Sequence, residues 1–171
     1  SGPPEVLLTK SDATVASVLD SMAPNRYAKK LIDTNVKGGT KATTDKGHPK
    51  YFEAMQIIGS YSGKSDELER AEDLLREAYK LSPKYPPIYC GYAMLAKLTG
   101  WVNDNSYEPG ALASAQMHLN NGLTIDPRYA VLHACQADVY KAEKNWTKLK
   151  EATKRYNYLK SYRANAEFLM A

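Results

Sequence analysis

The tripeptide Pro-basic-Tyr occurs three times in this chain, as Pro49-Lys50-Tyr51, Pro83-Lys84-Tyr85 and Pro127-Arg128-Tyr129. Matching residues precede the last two, Leu81-Ser82 and Ile125-Asp126, and the spacings are 34 and 44 residues. Recurrence on this scale marks stacked supersecondary units, each needing its neighbour to cover an apolar face. Leu68, Ala71, Leu75, Ala78 and Tyr79 recur at three- and four-residue steps, as the buried stripe of a helix does. Helices are therefore expected near 50–62, 65–82, 86–99, 109–125, 129–143 and 146–166. Each Pro-basic-Tyr reads as a helix stop, Ser65 or Asp66 as an N-cap, and Pro109 as a first-turn residue. No segment alternates cleanly enough to be read as a strand.

Thirty-four residues is also the period of the tetratricopeptide family, which this chain resembles. Its small-residue positions, where paired helices approach closely, are matched by Gly59, Ala71 and Ala78 in a first repeat, and by Ala93, Ala115 and Gly122 in a second. Ala137 continues the series, while His133 and Tyr156 depart from it. The ten surplus residues of the 44-residue interval fall between Gly100 and Ala115, in the turn joining two helices. The resemblance implies an all-α fold, a tetratricopeptide-like α-solenoid of antiparallel helix pairs with about three repeats. The repeats are assigned to 49–85, 86–129 and 130–163, the last capping the array, with a C-terminal end at 164–171. Ahead of them, residues 11–48 are expected to hold an N-terminal helix pair and a mobile loop, KGGTKATTDKGH. Residues 1–10 read as a disordered tail, with Ser1-Gly2 resembling a cleavage scar.

A chain of 171 residues has enough core to fold as one domain without a metal or disulfide framework. Its 43% hydrophobic and 25% charged residues are ordinary for globular proteins, and no apolar run is long enough for a transmembrane segment. Cys90 and Cys135 lack metal spacing and are expected to be buried free thiols. Their redox state and the compartment stay open: cytoplasmic, or periplasmic and exported if a signal or anchor was removed. His48, His118 and His133 form no metal-ligand spacing, and the usual nucleophile, phosphate-loop and dinucleotide motifs are absent. A non-catalytic protein is expected, with no cofactor and no metal.

The resemblance further implies a concave groove lined by the first helices of successive repeats. The positions carried across are Glu53, Gln56 and Ser60, then Cys90, Met94, Lys97 and Leu98, then Asp138 and Lys141. Met94 and Leu98 offer adaptable apolar contact and Lys97 and Lys141 a hold on carboxylates, which suits a protein or peptide partner. On that reading, replacing Met94 and Lys97 weakens partner capture without unfolding the chain. The positions that grip acidic chaperone tails in other family members are Gln56, Ser60, Gly91 and Cys135 here, so that activity is not implied. The inserted loop adds Trp101, Asp104 and Tyr107, which read either as contact residues or as a solvated turn with Trp101 folded back over the helix pair. Residues 141–163 hold eight Lys or Arg against two Glu, read as a solvated capping face, with nucleic acid disfavoured by a sequence pI near 8.9.

The run AEDLLREAYKLSPKY, the long turn after Gly100, and AQMHLNNGLTIDPRYA also resemble the sensory half of membrane-anchored winged-helix transcription activators. Two functions of different class follow as expectations. One is a scaffold holding a partner in its groove, and the other a ligand-responsive effector domain of a larger bacterial regulator. Partner identity and oligomeric state are open.

Overall fold

The computed structural model describes residues 45–170, with side chains described for 45–161. The expected tail and N-terminal helix pair lie outside the described residues. Six helices follow in order: α1 (His48–Gly59), α2 (Ser65–Leu81), α3 (Pro87–Thr99), α4 (Ala111–Ile125), α5 (Ala130–Ala142) and α6 (Trp146–Met170). A hairpin of β1 (Trp101–Asn103) and β2 (Ser106–Tyr107) separates α3 from α4.

Side-chain partners fix how the helices pair. Lys50 bonds Glu77 at 3.1 Å and Glu53 bonds Arg70 at 3.0 Å, so α1 and α2 run antiparallel. In the next pair Tyr92 stacks on His118 with ring centroids 5.1 Å apart, and the end of α3 at Gly100 meets Ala111 at the start of α4. The fit is also close at Gly122, where an added Cβ would stand 2.8 Å from Tyr89 Cβ and 3.1 Å from a Leu132 methyl. No side chain fits there, which explains glycine in a helix interior despite its propensity cost. Helices α5 and α6 form the third pair.

Successive pairs are joined both through their first helices, with α3 against α1 and α5, and through each second helix against the next first helix, α2 on α3 and α4 on α5. One core runs through all of them, from Tyr51, Met55 and Ile58 through Leu75, Ile88 and Leu98 to Leu132, Val139 and Leu149.

The two inter-pair turns repeat bond for bond. Ser82 N–H donates to the Ala78 carbonyl (2.9 Å), Tyr85 to Ser82 (3.1 Å) and Ile88 to Tyr85 (3.3 Å). Forty-four residues on, Asp126 donates to Gly122 (3.0 Å), Tyr129 to Asp126 (3.2 Å) and Leu132 to Tyr129 (3.1 Å). The Tyr89 hydroxyl reaches back to the Pro83 carbonyl at 2.6 Å, and His133 Nε2 to the Pro127 carbonyl at 2.8 Å. His133 thus performs the job of Tyr89 in the following unit, although its residue type breaks the sequence pattern.

Several expectations need correction. Pro49-Lys50-Tyr51 is not a helix stop but lies in the first turn of α1, where proline's missing N–H breaks no bond. Helix α2 has Lys64 at its N-cap with no side-chain cap; instead the Glu67 carboxylate accepts the Ser62 N–H and hydroxyl, both at 2.8 Å. Helix α4 starts at Ala111, because Gly110 adopts φ 84° in the turn before it. The inserted residues, read as strandless, form the β1–β2 hairpin, closed by Asn105 N–H to Asn103 Oδ1 (2.9 Å) and Glu108 N–H to the Gly100 carbonyl (2.6 Å).

Candidate functional site

Cys90, Met94, Lys97 and Leu98 recur at helical spacing, so α3 presents them on one face, and α5 runs parallel beside it. Were that face an open groove, they would meet solvent. All four are buried, as are Cys135 and Asp138 on α5, because the α3–α5 seam turns the two faces toward each other. Helices enclosed this fully are apolar nearly all round, which the composition of α3 shows.

Two linkages cross the seam. Cys90 and Cys135 form a disulfide with Cα atoms 6.1 Å apart, replacing the expected free thiols. A signal for it lay in the spacing: the separation of 45 is one more than the 44-residue spacing of the tripeptides, which sets the two cysteines at nearly equivalent depths along the first helices of successive pairs. Toward the other end of the seam Lys97 Nζ donates to Asp138 Oδ2 at 2.5 Å. Lys97 is 7% exposed and Asp138 2%. Tyr107, half-buried on β2, accepts a further hydrogen bond from Lys97 and closes the cluster.

The electrostatics follow from this packing. Burial alone would lower the pKa of Lys97, but Asp138 and Tyr107 outweigh it and the net shift is upward. Burial raises the Tyr107 phenol, with Lys97 opposing and the charge of Asp138 adding to the rise. The cluster thus holds an ammonium and a neutral phenol, neither a free amine nucleophile nor a phenolate base. Among the described residues no group of His, Cys, Asp and Glu is arranged to hold a metal ion.

The other sequence-derived positions are dispersed. Glu53 pairs with Arg70, Gln56 is exposed, and the Ser60 hydroxyl donates to the Gln56 carbonyl at 2.8 Å at the end of α1. Lys141 is half-buried near the end of α5. On the hairpin, Asp104 is exposed, Trp101 is 42% exposed and Val102 50%. The structure therefore brings together Lys97, Asp138 and Tyr107, and separately Cys90 and Cys135, as fastenings of the seam. It leaves Trp101 and Val102 as accessible apolar groups on a hairpin whose second strand is anchored by Tyr107. The Lys97–Tyr107 contact joins a helix to the inserted turn, and no periodic signal pointed to it.

Compared with protein-family models, curated proteins and solved structures, the chain matches none.

Proposed function

We propose that this chain is a tetratricopeptide-like solenoid segment that serves as a non-catalytic interaction scaffold for a protein partner. The bond-for-bond recurrence of the two inter-pair turns supports the repeat architecture. One observation carries the functional reading: Trp101 and Val102 are exposed on a hairpin tied to the buried Lys97–Asp138 pair through Tyr107. An aromatic that is partly covered yet 42% exposed, on a hairpin anchored through Tyr107, is what a binding anchor requires, since ordering it on contact costs little entropy. The partner contact shifts accordingly from the seam residues to the hairpin. The exposed Gln56 and Ser60, at the C-terminal end of α1, are included in the proposed contact surface.

The test is affinity capture from the source organism with the wild-type chain and a Trp101→Ala/Val102→Ser variant, with thermal melts confirming equal folding. Loss of the same captured protein with the variant supports the reading. Equal capture by both chains refutes the hairpin as the contact.

The disulfide favours a second reading, the effector domain of a larger regulator. Buried disulfides persist in oxidising compartments and are rare in the cytosol of most organisms. This suits a sensory region held outside the cytoplasm. An upstream winged helix and membrane span in the full-length gene would establish it, and their absence would remove it.

A further inference from the structure

The outer face of α6 is strongly cationic. Leu149, Ala152, Thr153 and Leu159 are buried against the array, which turns Lys148, Glu151, Lys154, Arg155 and Tyr158 outward, all exposed. Lys148 has only a 3.8 Å contact with Glu151. Among the described residues Lys144, Lys150, Lys154 and Lys160 form no ion pair, while the Arg155 guanidinium lies 5.7 Å from the Tyr158 ring centroid. At the other end of the array, α2 carries six Asp or Glu against three Lys or Arg. The array is therefore electrically polar, with its basic end at α6.

A second observation is independent of charge counting. Lys144 adopts φ 59°, the left-handed conformation in which a side chain is strained and Gly or Asn is favoured. Its side chain is exposed and forms no ion pair among the described residues, so the ammonium is available for contact outside the chain.

We infer that the Lys144–α6 face docks on an anionic phospholipid surface. Apart from Tyr158, this face shows no large exposed apolar group among the described residues, so it lacks the apolar centre of a protein interface and fits a polyanion. Of the polyanions, the Cys90–Cys135 disulfide selects lipid over nucleic acid, because compartments that keep disulfides oxidised present membrane surfaces rather than chromosomes or transcripts. The acidic α2 end is repelled by the same surface, so the molecule stands with α6 down and the hairpin pair α3–α4 set back from the lipid.

The experiment is co-sedimentation of the intact chain with vesicles of phosphatidylcholine, with and without a one-third share of phosphatidylglycerol, at low and high salt. Binding is expected only to the anionic vesicles and is expected to weaken with salt. Each neutralised cation weakens it by roughly fivefold, so Lys148→Gln/Lys154→Gln/Arg155→Gln loses on the order of a hundredfold. A control with the same charge change elsewhere, Lys64→Gln/Lys80→Gln/Lys84→Gln, retains most binding. Lys144→Gly separates contact from folding, because it relieves strain yet binds lipid more weakly. The inference is overturned by equal binding to neutral vesicles, by equal loss in the control, or by preference for duplex DNA over lipid of matched charge.

Discussion

Lys144 and Gly122 show opposite relations between residue type and backbone. The turn after α5 has the hydrogen bonds of a Schellman motif, with Asn145 N–H on the Tyr140 carbonyl at 2.9 Å and Lys144 N–H on Lys141 at 3.0 Å. That motif places Lys144 at the left-handed position where glycine is the ordinary choice. Lys144→Gly is expected to raise stability by about 0.5–1 kcal/mol in urea unfolding, the strain relief exceeding the entropy that glycine adds to the unfolded chain. No gain would show that the strain is absorbed elsewhere. Gly122 is the converse case, a glycine where geometry admits nothing larger. Gly122→Ala presses a methyl into Tyr89 and Leu132 and is expected to cost about 1–3 kcal/mol in the same measurement. The importance of Gly122 was legible in the sequence, because a small residue at that point of a repeat is a packing requirement. That of Lys144 was not, since a surface lysine carries no trace of its φ.

The α3–α5 seam is where the element scale decides the energetics. Lys97 and Asp138 are each almost wholly buried, so removing one partner leaves the other charged without compensation. Asp138→Ala is expected to cost about 3–5 kcal/mol in chemical unfolding, and Lys97→Met/Asp138→Leu far less than that single change. A double variant as damaged as the single one would show that the pair's net attraction, rather than unpaired charge, sustains the seam. The same burial reverses the expectation for Met94 and Lys97: replacing them tests folding, not partner capture. All six described helices were legible to within a few residues, because stripes such as Leu68, Ala71, Leu75 and Ala78 need many positions to agree. The hairpin was not, since a three-residue β1 is too short to alternate and is held by local bonds around Asn103 and Gly100. The seam was misread as a groove because face-sharing positions can be deduced from spacing, whereas whether a neighbour covers that face cannot.

For the molecule as a whole, the three histidines are expected to make folding sensitive to mild acid. The pKa of His48 is lowered chiefly by burial, with Asp45 opposing, and its Nδ1 lies 2.7 Å from the Tyr85 hydroxyl. That of His118 is lowered by burial in its stack on Tyr92. Burial also lowers that of His133, with the Pro127 carbonyl opposing and the nearby Arg155 charge adding to the fall. A folded-state pKa below the ordinary histidine value of 6.5 means that the unfolded chain binds the proton more readily. Stability from these groups is therefore fully present above pH 6.5 and is lost as pH falls through the lowered folded-state values. The three residues stand on α1, α4 and α5, so protonation acts at three places: the His48 contact with Tyr85, the His118–Tyr92 stack between α4 and α3, and His133 beside Arg155 of α6. Thermal melts taken downward from neutral pH should show a falling Tm before the carboxylates begin to titrate near about pH 4. His118→Phe keeps an aromatic ring against Tyr92 and removes one proton site, so its Tm should fall less steeply over that interval. A wild-type Tm that stays level between pH 6.5 and the carboxylate range would mean that the histidines take up protons in the folded state as readily as in the unfolded one.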